Sequence, residues 1–142
     1  MKALFEFVIL PVADPDRSLS FYRDKVGLDL DVDYAPTAEF RVIQMTPQGA
    51  STSIQFGVGL TDAPAGSVRG LCLVVPSIEA CRRELTDRGV NVSEIRHKDT
   101  GAGARHGAYL PGLDPDRADY ASFADFRDPD GNTWVLQERG HH

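Results

Sequence analysis

Residues 12 to 28 read V-A-D-P-D-R-S-L-S-F-Y-R-D-K-V-G-L, and the architecture is decided there. Asp14 carries the side-chain oxygen that caps a helix, and Pro15 suits the first helical position. Leu19, Tyr22 and Val26 recur at the spacing of one apolar stripe, and Gly27 supplies the stop. Upstream, residues 3 to 12 are rich in Leu, Phe, Val and Ile and read as a buried strand ended by Pro11 and Asp14. Downstream, strands are predicted over 28–34, 40–46 and 52–58, separated by Ala35-Pro36-Thr37 and Pro47-Gln48-Gly49. The first half therefore reads βαβββ.

The same order then begins again. After a segment over 61–66 that reads as flexible, an apolar run spans 68–75, and Ser77 caps a second helix. Ile78, Cys81 and Leu85 should face inward, with Glu79–Arg83 and Glu84–Arg88 as outward i, i+4 pairs. Gly89 ends this helix, and a strand is predicted over 90–96. Aligning Val12 with Val75 sets Asp14 on Ser77 and, with one residue of slippage, Gly27 on Gly89. The period is roughly 60 residues, the mark of an internal repeat. The second half departs from the first by a long loop, 99–119, of the length that covers binding sites. Strands over 121–127 and 133–139 then form a hairpin across Asp128-Pro129-Asp130-Gly131-Asn132. Trp134, on the closing strand, should point at the helices.

Composition narrows the function classes. The chain has 142 residues, 42% hydrophobic and 25% charged, which describes one ordinary folded domain. With 15 basic and 21 acidic side chains, its formal charge of −6 lacks the positive field that nucleic acid requires. The apolar start is too short for a membrane span and has no cleavage signature. Cys72 and Cys81 make neither a disulfide framework nor a metal knuckle, so a cytoplasmic location is expected. His141 and His142 are either natural residues or a purification remnant, and are set aside.

Two βαβββ modules, the 12–28 segment and F-R-D-P-D-G-N-T-W at 126–134 together resemble the vicinal oxygen chelate superfamily, which includes glyoxalase I, extradiol dioxygenases and bleomycin-resistance proteins. The resemblance implies an α+β fold: one glyoxalase-like domain over 1–142, with modules 1–60 and 67–140 forming a curved mixed sheet around a cavity. In metal-dependent members a divalent ion sits on the concave face. The position of its first His is Phe7 here, that of the second-module His is Gly70, that of the Glu after the turn is Val135, and the fourth maps to Gln55. Three of these four side chains have no metal donor, and an amide alone is a weak ligand. No metal and no cofactor are expected.

Strand alternation places Phe5, Phe7, Ile9, Ser53 and Gln55 on the cavity side, with Gly70, Cys72, Val74, Thr133, Val135 and Gln137 from the second module. Such a wall suits a hydrophobic or aromatic ligand oriented by a few hydrogen bonds, and the acidic surface favours a cationic one. Phe5, Phe7, Gln55, Cys72, Tyr109, Val135 and Gln137 are the candidate ligand contacts. Asp125 is the candidate catalytic residue, as a general base in an apolar cavity, or else an ordinary carboxylate paired with Arg127 or Arg41. Arg105 and His106, on the long loop, would meet an anionic or polar ligand if that loop covers the cavity. The resemblance points to a metal-independent small-molecule binding protein of the bleomycin-resistance kind, acting as a homodimer. The alternative is a glyoxalase-like lyase or isomerase working without the usual metal or with relocated ligands.

Overall fold

The computed structural model describes residues 1–105 and 107–142, and forms two compact units. The first contains Met1–Arg69 together with Asp128–Asn132; the second contains Gly70–Arg127 and Thr133–His142.

In the first unit, β1 (Phe7–Ile9) leads into α1 (Pro15–Ser20), which continues as a wider π-helical turn over Phe21–Val26. Asp14 caps α1 by accepting the N–H groups of Asp16 and Arg17 at 3.1 and 3.2 Å. Gly27 ends the turn in the left-handed region, φ +87°, where a side chain would be strained. Strands β2 (Asp29–Thr37), β3 (Phe40–Thr46) and β4 (Ser53–Val58) follow. The sheet order is β1-β4-β3-β2, with β1 parallel to β4 and the other pairs antiparallel. Leu10, Tyr22, Ile43, Met45 and Phe56 are fully buried and form the core of this unit. Pro36 falls within β2, which tolerates it because β2 is an edge strand.

The two motifs of the sequence meet inside this unit. The Tyr22 hydroxyl donates to Asp128 Oδ2 at 2.8 Å, and both residues are buried. Asp128 Oδ1 accepts the N–H groups of Asp130, Gly131 and Asn132, while Asn132 Nδ2 donates to Asp128 Oδ2 at 2.8 Å and to the Pro11 carbonyl at 3.1 Å. Asp130 accepts from the Ala13 N–H and from Arg17, each at 3.0 Å. The segment expected to be flexible, 61–66, is fastened at its end: the Gly66 amide donates to Pro11, and a Cβ on Gly66 would stand 2.0 Å from the Asp130 carbonyl oxygen.

The second unit repeats the plan with an extra strand. β5 (Leu71–Val75), α2 (Ile78–Asp87), β6 (Arg96–Lys98), β7 (Tyr109–Pro111), β8 (Ser122–Arg127) and β9 (Thr133–Glu138) form a sheet of order β5-β9-β8-β6-β7. The core holds Ile78, Ala124, Phe126 and Leu136, and Trp134 stacks parallel to Phe126 with ring centroids 6.0 Å apart. Trp134 is thus a core residue. The strand expected over 90–96 does not form as such: the ladder begins only at Arg96 and runs on to Lys98 as β6. Val90 and Val92 are buried without joining the ladder, and the Asp125 N–H is taken by the Ser93 hydroxyl at 2.8 Å instead of by a backbone carbonyl. The long loop is interrupted by β7, which pairs with β6 through His97↔Leu110 and Lys98↔Tyr109. Glu84–Arg88 forms at 2.7 Å, whereas Glu79 reaches Arg117 at 3.1 Å in place of Arg83.

A buried carboxylate organises this unit. Glu138 is fully buried; Arg117 Nε and Nη2 donate to its two oxygens at 2.7 and 2.6 Å, and the first N–H of α2, on Ile78, donates to it at 3.0 Å. The Arg117 guanidinium holds the carboxyl below its ordinary range, with the Ile78 N–H acting in the same direction. Among the described residues no helix is long and apolar enough to cross a membrane.

Candidate functional site

Residues paired across a ladder share a face, so the registers define which side of each sheet is open. In the first unit, Ile43, Met45, Ile54 and Phe56 are buried on one side. The alternate residues form the open side: Phe7 beside Ser53, Ile9 beside Gln55, Gln44 beside Gln55, and Val32 and Tyr34 beside Gln44 and Val42. Gln55 Nε2 donates to Gln44 Oε1 at 2.8 Å, so the amide partner required inside this strand is a neighbouring side chain. The Thr46 hydroxyl donates to Asp31 and, its only proton so used, accepts from the Ser53 hydroxyl at 2.7 Å. Phe7 is 40% exposed, and Phe5, upstream of β1, is more so at 67%.

The open side of the second unit carries Cys72 and Val74 beside Val135 and Gln137, then Asp125 and Phe123, then Arg96 and Lys98, then Tyr109. The Cys72 thiol donates to Gln137 Oε1 at 3.1 Å, and partial burial raises its pKa; the Cys81 thiol on α2 is pushed up to about 11. Neither cysteine has the electropositive surroundings of a nucleophile. Arg96 holds Asp125 with two hydrogen bonds, 2.6 and 3.3 Å. The partners expected for Asp125 were Arg127 or Arg41; Arg41 instead binds Asp33 and Asp16, and Asp125 stands next to β6 because β6 pairs with β8. The Arg96 guanidinium also lies over the rings of Tyr109 and Phe123, 4.8 and 5.6 Å from their centroids. A cavity of ≈ 680 Å³ opens beside these groups, bordered by Asn91, Ser93, Asp125, Arg127, Thr133 and Val135.

The positions that hold the metal in metal-dependent relatives do not fit a metal here. Phe7, Gly70 and Val135 offer no side-chain donor, the Gln55 amide is paired with Gln44, and Gly70 adopts φ +76° ahead of β5. Among the described residues no three His, Cys, Asp or Glu side chains gather as a metal-binding group. His97 turns to the side of Ser122, its Nδ1 at 2.8 Å from the Gly112 carbonyl oxygen. His106 lies outside the described residues. Arg96, Lys98, Arg117 and Gln44 were not singled out in the sequence; Arg96 and Lys98 carried a signal only in their alternation about His97.

The fold agrees with what comparison shows. The chain belongs to the Glyoxalase/Bleomycin resistance protein/Dioxygenase superfamily, whose sequence pattern matches residues 4–136. Among solved structures it is similar to TnmS3, an antibiotic binding protein from Streptomyces sp. CB03234, at 30% identity over 96% of this chain and 96% of that one, with a TM-score of 0.72. A glyoxalase/bleomycin resistance protein from the same Streptomyces is 31% identical over 93% of this chain and 97% of that one, TM-score 0.68. A superfamily member from Sphaerobacter thermophilus DSM 20745 shares the fold at 24% identity, covering 97% and 98% of the two chains, TM-score 0.71. No curated protein matches the chain.

Proposed function

We propose that this protein binds a hydrophobic or aromatic small molecule without a metal ion, as a homodimer in the cytoplasm. The observation that carries the reading is the state of the polar groups on the two open faces. Gln44 with Gln55, Thr46 with Ser53, Cys72 with Gln137 and Arg96 with Asp125 are already paired. Aromatic and aliphatic side chains stand exposed among them, Phe7, Val74 and Tyr109 included. A face of this kind adds apolar contact and a few fixed hydrogen-bonding edges. The proposed contacts are Phe5, Phe7 and Gln55 in the first unit and Cys72, Tyr109, Val135 and Gln137 in the second. The similarity to an antibiotic binding protein supports the ligand class. Pairing of two chains would cover the exposed Leu4, and two free thiols suit a reducing compartment. Both oxygens of Asp125 are engaged by Arg96 and not offered to a ligand, so binding is favoured over catalysis.

The test is a thermal-stability screen of chelator-treated protein against aromatic natural products. A ligand present at 100 times its Kd stabilises the native state by about 2.7 kcal/mol, a readily measured upward shift. Stabilisation by none of the compounds, or only after a divalent metal is added, would contradict the proposal.

A further inference from the structure

The charge on the open face of the second sheet runs against the charge of the whole chain. The total is −6, which favours cationic ligands at long range. On this face, however, Arg96, Lys98 and Arg127 accompany one carboxylate among the described strand residues, Asp125. Asp125 is spent on Arg96, whose fork it binds edge-on at 2.6 and 3.3 Å. That pairing fixes the guanidinium, which lies 4.8 Å from the Tyr109 ring centroid and 5.6 Å from that of Phe123. Tyr109 meets Phe123 edge-on at 5.6 Å and is itself 44% exposed, so its ring is open to a ligand. Lys98 Nζ stands 5.5 Å from the centroid of the Phe123 ring and has no carboxylate partner among the described residues. The nearest acid in sequence, Asp99, accepts the Gly101 N–H at 3.0 Å.

Resting on the small-molecule reading above, we propose that the ligand is a planar aromatic molecule bearing an anionic oxygen, a carboxylate or an ionised phenol. Its ring lies against the Arg96–Tyr109 stack, and its anionic group meets Lys98. Each part of the arrangement selects for this class. An electron-rich ring gains most from a fixed guanidinium. The uncompensated ammonium supplies the counter-charge, and a cationic ligand would meet two like charges. Lys98 is the specificity-determining residue, and Asp125 positions Arg96.

Fluorescence titration of the full chain with anthracene-2-carboxylate, anthracene-2-carboxamide and 2-(aminomethyl)anthracene tests this. The carboxylate should bind about tenfold more tightly than the amide, the worth of one charge-assisted contact, and the ammonium more weakly than either. Lys98→Gln should bring the carboxylate down to the affinity of the amide while leaving the amide unchanged, and Tyr109→Ala should weaken all three. A merely structural Lys98 would change all three equally, which overturns the proposal, as does equal affinity or tightest binding of the ammonium. Binding of none of the three also overturns this proposal, whereas the small-molecule reading falls only if the natural-product screen finds no ligand, so the two failures are distinct.

Discussion

On the open face of the first sheet the polar groups form neutral pairs, Gln44 with Gln55 and Ser53 with Thr46, and the charge beside them is the carboxylate of Asp31. On the open face of the second sheet the central pair is ionic, Arg96 with Asp125, and the charges beside it are the cations Lys98 and Arg127. The two units share a strand-helix-strand plan, so the difference does not come from the fold. It comes from where the fold is held. In each unit a buried carboxylate fixes the backbone: Asp128 gathers Tyr22, Asn132 and its own turn, and Glu138 gathers Arg117 and the start of α2. With the scaffold secured there, the open faces can change residue type at little cost.

That division can be broken most severely at its anchors. Asp128→Ala removes the carboxylate that accepts from the Tyr22 hydroxyl and from the Asp130 and Asn132 N–H groups, and leaves the Gly131 N–H and the Asn132 amide only the Asp128 and Pro11 backbone carbonyls; it should cost about 3 kcal/mol or more in urea unfolding. Glu138→Gln should cost somewhat less, about 2 kcal/mol at neutral pH, since an amide oxygen still accepts one donor. Its signature is the pH dependence. The Glu138 carboxyl is held below its ordinary value of 4.5, so its contribution is fully present above that pH and is lost as pH falls through the lower folded-state value. The gap in stability between wild type and Glu138→Gln should therefore narrow in acid; a gap that widens would contradict the assignment.

On the open faces the expected effects on stability are small. Asp125→Asn removes a half-exposed ion pair and should cost about 0.2–1 kcal/mol, with folding otherwise intact. A loss as large as that of Asp128→Ala would end the distinction between anchor and face. Smallest of all is the effect at Cys72: Cys72→Ala should leave stability nearly unchanged, and iodoacetamide should label the wild-type thiol more slowly than free cysteine at neutral pH, because burial raises its pKa.

The helices, their caps, and strands β3, β4, β8 and β9 were legible in the sequence because periodicity, capping residues and turn residues are local signals. What was not legible depends on partners distant along the chain. The link from Tyr22 to Asp128 spans 106 positions, and the sequence displays its two ends only as separate motifs. Strand β6 shrank because a Ser93 side chain replaced a ladder bond, and nothing in the run 90–96 announces that. Alternation placed Gln55 and Val135 on the open faces correctly, but the partner of Asp125 required the β6–β8 register. Arg117 has φ +50° within a segment that reads as loop, and no residue-type signal marks it as the partner of a buried glutamate.

The most direct test of the central claim is amide chemical-shift mapping of the chelator-treated chain on addition of anthracene-2-carboxylate. The account predicts shifts concentrated at Arg96, Lys98, Tyr109 and Phe123, obtained without any added metal. Shifts confined to the helix-facing side, around Ile78 and Leu85, or absent until a divalent ion is supplied, would contradict it.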